Sequence, residues 1–318
     1  MEVSGQSDQE EEYEEEQAES NFTQQTLPGI NPKLTNLQLV IVLITFCILL
    51  IVIGIPLLMT SLNLFEHVIR YDNVSKDRVI EIPFHVEKDV AGPVYVLYQL
   101  DHFYQNHRRF VTSRDYDQLR GKKLNDRELN KCDPRSGENQ QIKDSERIPC
   151  GIAANTMFND IFSVEYLGDA TKSIKNNISS NAQEEIRQQI EIKKDGIVWP
   201  SDKKLYKSQA GSQKDVTSDA FIGWMKPAAL PSFRKMYGII TDGLKKGDYQ
   251  VNIVNNYNLT LNEKSVVFTK HSWFGGKNDL LGIMYVVFGG LCGILALIVA
   301  VKSLFCPKKY PLLDEKDE

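Results

Sequence analysis

Two stretches of the chain carry no charged residue: Leu39 to Met59, 21 residues, and Leu280 to Val301, 22 residues. At about 1.5 Å of rise per residue, a helix of either length reaches about 30 Å, the thickness of a bilayer's hydrocarbon core. The pattern predicts two transmembrane helices. A cleaved signal peptide does not suit the first run, because an acidic segment of nearly forty residues precedes it. A buried core helix does not suit the second, because such helices seldom run so far without a polar face.

Between the runs the pattern changes to strict alternation, the mark of half-buried strands. Ile80, Ile82, Phe84 and Val86 make one set; Val94, Val96, Tyr98 and Leu100 a second; Phe162, Val164 and Tyr166 a third. Tyr249, Val251 and Ile253, then Tyr257, Leu259 and Leu261, then Val266 to Phe268, follow. Helical signals interrupt the series. Ser180 with Gln183 forms a capping box that predicts a helix through about Ile190. Pro231 suits a first helical position, and Phe233, Met236, Tyr237, Ile240 and Leu244 recur at helical spacing until Gly247. The fold class expected is two transmembrane α-helices plus an α+β extracytosolic domain, dominated by antiparallel β-structure.

Charge sharpens the threading. Residues 1–20 hold nine carboxylates and no Lys or Arg, the composition of a solvated, disordered tail. Lys302, Lys308 and Lys309 follow the second run and favour a cytosolic C-terminus. Of five cysteines, only Cys132 and Cys150 lie between the runs. Such an isolated pair reads as one disulfide in an oxidising compartment, or as two free thiols in a cytosolic domain. Three N-x-S/T acceptors, Asn73, Asn177 and Asn258, share that segment, while a fourth, Asn21, lies in the acidic tail. The plan is therefore a disordered acidic cytosolic tail (1–38), a first span (39–59), an extracytosolic, lumenal domain (60–279), a second span (280–301) and a cytosolic tail (302–318). The protein belongs in a membrane of the secretory pathway: endoplasmic reticulum, Golgi, endosome or plasma membrane.

Candidate chemistry is sparse. The five histidines form no H-E-x-x-H motif, no G-x-S-x-G elbow is present, and one loop cysteine pair does not make a zinc site. Gly275-Gly276-Lys277-Asn278 lacks the spacing of a phosphate loop and suits a turn before the second span. Asp101-His102 and Ser201-Asp202 are pieces from which a triad could be assembled only on paper. No catalytic residue, cofactor, metal or nucleic-acid partner is expected. The second span instead offers Gly282, Gly289 and Gly293 on one helical face, which suits close approach of another protein's helix or of the chain's own first span.

Several segments then resemble one family. Tyr98 to Phe110 (YQLDHFYQNHRRF), Gln118 to Gly121, Pro149-Cys150-Gly151 and Phe158-Asn159-Asp160 are followed by Trp199 to Asp202, Trp224 to Gly238 and Ser272 to Asn278. Together they are similar to the ligand-effect modulator, or cell cycle control protein 50, family of non-catalytic β-subunits of phospholipid flippases. The resemblance implies an asymmetric antiparallel β-sandwich with helical extensions and a heterodimer with a type IV P-type ATPase that moves membrane phospholipids. The implied role is assisting the pump's folding, its exit from the endoplasmic reticulum and its transport cycle. It also implies a disulfide between Cys132 and Cys150. Contact with the pump or with lipid phosphate is expected from Tyr104, Gln105, Asn106, His107, Arg108 and Arg109, with internal hydrogen bonding as the alternative. One departure is that residues 60–131 contain no cysteine, where family members commonly have more. The rival readings are a two-span ligand-gated channel subunit and a membrane-anchored enzyme.

Overall fold

The computed structural model describes residues 35–72, 78–125, 132, 148–168, 187–257 and 263–305. Asn21, Asn73, Asn177, Asn258, Cys306 and the Ser180 capping box lie outside them. The chain forms two compact units: a helical one up to Ile55 and from Ile283, and a larger one from Pro56 to Gly282.

Helices α1 (Asn36–Leu62) and α7 (Asp279–Phe305) contain the two apolar runs, and both are long and apolar enough to cross a membrane. Thr35 and Gln38 open α1 with a capping box: the Gln38 amide donates to Thr35 Oγ1 at 3.4 Å, and the Thr35 amide to Gln38 Oε1 at 3.0 Å.

The larger unit is a sandwich of two four-stranded antiparallel sheets. Strands β1 (Glu66–Arg70), β2 (Val79–Val86), β3 (Val94–Asp101) and β4 (Ile161–Gly168) come first, then β5 (Gln188–Ile190), β6 (Phe233–Ile240), β7 (Gly247–Val254) and β8 (Glu263–Thr269). One sheet has the order β1-β8-β3-β6, the other β2-β7-β4-β5. The expected alternation is seen along β3, where Val94, Val96, Tyr98 and Leu100 are buried, and along β7, where Tyr249, Val251 and Ile253 are. Those inward faces meet in one core. Phe84 of β2 stacks on Phe268 of β8 at 5.1 Å and on Tyr249 of β7 at 5.2 Å, so a single ring joins both sheets.

Short helices lie in the connections between strands: α2 (Arg108–Thr112), α3 (Tyr116–Leu119), α4 (Ile152–Asn155), α5 (Pro200–Lys203) and α6 (Asp219–Met225). Cys132 and Cys150 are both buried and form the expected disulfide, with Cα atoms 5.9 Å apart.

Two helices expected from the sequence are corrected. Gln188–Ile190 is the edge strand β5, paired with Val164 to Tyr166 of β4, so no helix reaches Ile190. Residues from Phe233 form the strand β6, not a helix begun by Pro231. The reason is a β-bulge: Leu97 pairs with Met236 but Val96 with Gly238, which leaves Tyr237 as the extra residue. The bulge breaks the period of two, so buried Phe233, Tyr237 and Ile240 fall four and three residues apart, the spacing of a helical face. For the strand expected at Tyr257 to Leu261, Tyr257 lies outside any strand and the remainder lies outside the described residues.

Candidate partner interface

The Tyr98 to Phe110 segment leaves the end of β3 through His102, whose φ of 62° lies in the left-handed region uncommon for a side-chain-bearing residue. The turned chain then runs beside residues 226–231 and is fastened to them. The Ala228 amide donates to Gln105 Oε1 at 3.0 Å, Asn106 Nδ2 to the Ala229 carbonyl at 2.9 Å, and the Phe103 amide to the Pro231 carbonyl at 3.0 Å. Gln105 is fully buried. His107 accepts from the Arg109 amide at 3.3 Å and caps α2.

The six residues expected to meet a partner are thus divided. Gln105 is buried inside the domain, and Asn106, though exposed, spends its side-chain amide on the Ala229 carbonyl. Tyr104, His107, Arg108 and Arg109 are exposed. Tyr104, 57% exposed, stands beside the loop that carries Leu230, 67% exposed, a residue that sequence reasoning missed because an isolated leucine between prolines gives no periodic signal.

Helix α6 holds that loop in place. Its N-terminus is capped by Ser218, and buried Asp219 accepts from the Gly196 amide at 2.6 Å and from Lys203 Nζ at 2.6 Å. Burial pushes the Asp219 carboxyl up, but Lys203 and the backbone amides outweigh it, and its pKa lies below the ordinary carboxylate value. At the other end Lys235 Nζ donates to the carbonyls of Gly223, Trp224 and Lys226 at 2.9, 2.8 and 2.5 Å. An ammonium there complements the negative end of the helix and lies 5.2 Å from the Trp224 ring centre. Burial first, then Arg114 and Lys226, push Lys235 down to about 7. Trp224 is buried and donates from Nε1 to the Ala153 carbonyl at 2.7 Å, which ties α6 to α4.

A second polar cluster sits deep in the core. Lys264 Nζ donates to Asp160 Oδ2 at 2.9 Å, to Asn255 Oδ1 at 2.5 Å and to the Tyr257 carbonyl at 2.7 Å. Asp160 also accepts from Tyr71 Oη at 2.7 Å and from the amides of Asn256 and Tyr257 at 2.7 and 2.6 Å. Every oxygen and proton of the pair is engaged, and the arrangement fastens the loop after β7 to β8 and to the start of β4. Sequence spacing gave no sign of it, since the two residues are 104 positions apart.

The acids of the two triad pieces are engaged in hydrogen bonds of their own. Asp101 accepts from Gln99 at 2.9 Å and from Ser232, while Asp202 accepts from Lys226. Among the described residues no group of three or more His, Cys, Asp or Glu could hold a metal ion.

The spans use their own glycines. In the larger unit, a Cβ on Gly282 would lie 2.7 Å from the Leu58 Cα. In the helical unit, one on Gly289 would lie 2.9 Å from Ile51 Cγ1, and one on Gly293 3.1 Å from Cys47 Sγ. Of the two occupants expected for this face, the structure seats the chain's own first helix against all three glycines, and their assignment to another protein's helix is not carried further. Buried Ser61 completes the junction: its Oγ donates to Asp279 Oδ1 at 2.5 Å and accepts from the Asn278 amide at 3.0 Å.

Comparison with known proteins decides the family. The model of the LEM3 (ligand-effect modulator 3) / CDC50 family matches residues 4–309, nearly the whole chain. The chain belongs to the LEM3/CDC50 family. Among its LEM3/CDC50 relatives, ALA-interacting subunit 3 of Arabidopsis thaliana is 33% identical over 328 residues, covering 91% of this chain and 87% of that protein. Cell cycle control protein 50A of Bos taurus is 31% identical over 334 residues, covering 88% and 87%. The Phospholipid-transporting ATPase accessory subunit CRF1 of Saccharomyces cerevisiae is 32% identical over 257 residues, covering 72% and 59%. In this LEM3/CDC50 chain the cysteine-free stretch after the first span is secured without sulfur. Tyr71 and Ile80 are buried in the core, and Arg70 pairs with Asp72 at 2.7 Å and Glu263 at 2.8 Å.

Proposed function

We propose that this chain is the accessory β-subunit of a phospholipid-translocating type IV P-type ATPase, non-catalytic itself. The observation that carries the reading is kinship: a yeast relative bears the name of a phospholipid-transporting ATPase accessory subunit, and plant relatives are named for interaction with a partner. The chain assists the pump's folding, its exit from the endoplasmic reticulum and its transport cycle. Its sandwich lies on the lumenal side, with the tails 1–38 and 302–318 in the cytosol.

The exposed group around Tyr104 and Leu230 supports a docking role. Tyr104 and Leu230 supply apolar anchors, and Arg108 and Arg109 supply forked donors suited to carboxylates on a pump loop. The rigid mounting behind them, from Gln105 to α6, lowers the ordering cost of binding.

One experiment tests compartment and role together. Expressed with a type IV P-type ATPase, this chain is expected to carry glycan on Asn73, Asn177 or Asn258 and to gain resistance to endoglycosidase H as the pair leaves the endoplasmic reticulum. Expressed alone, its glycans should stay sensitive. Glycan on Asn21, or maturation that ignores the ATPase, would contradict the reading.

A further inference from the structure

A cavity of about 860 Å³ opens in the larger unit where the chain enters and leaves the sandwich. Its wall begins with Thr60 in the last turn of α1 and Asn63 just beyond it, and ends with Lys270 to Ser272, seven residues before α7. The ends of β1 and β2 close the other side. The size suits a small-molecule ligand, and the position puts the mouth next to the point where α1 leaves its apolar run.

The cavity is lined by charges of both signs, some of them unpaired. Lys88 and Lys270 have no ion-pair partner among the described residues, and neither has Glu87. Asp89 accepts from the Lys246 amide at 2.6 Å and has no ion-pair partner among the described residues. The remaining ionic groups are already used: Glu66 pairs with Arg234 at 2.8 Å and His85 with Asp248 at 2.6 Å. Burial lowers the pKa of His67 and His271, so two neutral imidazoles line the wall between the charges. Immediately after the wall, a tight turn closed by Ser272 and Gly275 presents Trp273, 78% exposed. An exposed Trp six residues before a span is placed as an interfacial anchor at the level of lipid headgroups.

We infer that this cavity holds the headgroup of a zwitterionic phospholipid, its phosphate on Lys88 and Lys270 and its amine toward Glu87 and Asp89. The acyl chains leave along the exposed side of α1 past Leu62 and Met59, which are 57% and 60% exposed. Two cations balanced by two carboxylates match a headgroup that carries one of each, better than a purely anionic one. The site is complete within this chain, so it stands or falls independently of the ATPase reading.

The test uses the full chain in nanodiscs of phosphatidylcholine containing a phosphatidylcholine with a photoactivatable headgroup. Adducts are expected on peptides spanning residues 85–91 and 270–272. Lys88→Glu with Lys270→Glu should reduce those adducts about tenfold while leaving adducts on the spans unchanged, which serves as the internal control for folding. Labelling confined to the spans, labelling unchanged in the double variant, or equal labelling by a phosphatidylglycerol probe would overturn the site. So would loss of the adducts on binding the ATPase, since a protein loop would then be the occupant.

Discussion

At the scale of single residues, the domain is organised by a few buried polar groups held by partners from distant parts of the chain. Lys264 and Asp160 are the clearest case, with side chains 4% and 0% exposed. Removing one member strands the other charge in the core, which costs about 3–5 kcal/mol. Lys264→Met is therefore expected to lower the denaturation midpoint sharply, and adding Asp160→Asn should recover part of the loss. A single variant as stable as the parent would show that the pair is solvated. Lys235 gives a pH signature. Its folded pKa of about 7 lies below the ordinary 10.5, so between those values the unfolded chain binds more protons and stability rises with pH. Lys235→Met should flatten that rise between pH 7 and 10 in thermal melts. An unchanged slope would contradict the assigned titration. None of these groups was legible in the sequence, because each is defined by partners brought together from distant positions.

At the scale of elements, what could be read was what repeats. The two spans and the strands β2, β3, β4 and β7 follow from apolar length and from period-two alternation, and the structure places them where the sequence did. Strand β6 was misread because its bulge at Tyr237 converts alternation into a helical rhythm. Helix α6 escaped notice because seven residues carry too few turns to show a period. The glycine face of α7 was legible, but its occupant was not: the same small residues suit any close helix, and only the distances to Leu58, Ile51 and Cys47 choose α1. That packing gives a direct test. In a Cys292→Ser background, Gly293→Cys should form a disulfide with Cys47 under mild oxidation, within one chain. Crosslinking only between two chains, or none, would contradict the pairing.

At the scale of the whole molecule, antiparallel pairing explains why the chain enters and leaves the sandwich at one edge. Strand β1 starts where β8 finishes, Glu66 opposite Thr269, so the chain enters and leaves the sandwich side by side. Ser61 and Asp279 then close the junction. Within the larger unit, the cavity beside Thr60 and Lys270 and the exposed group around Tyr104 and Leu230 are built from different loops. The family could be read from ordered motifs along the chain, and the match over residues 4–309 agrees. Of the six residues expected to meet a partner, Gln105 is buried in the domain's own bonding, which the sequence did not show. The most direct test of the accessory-subunit account is the mass of what this chain forms when purified in mild detergent from cells expressing a type IV P-type ATPase. The account expects one copy of this chain with one copy of the ATPase. A homo-oligomer of this chain that excludes the ATPase would contradict it.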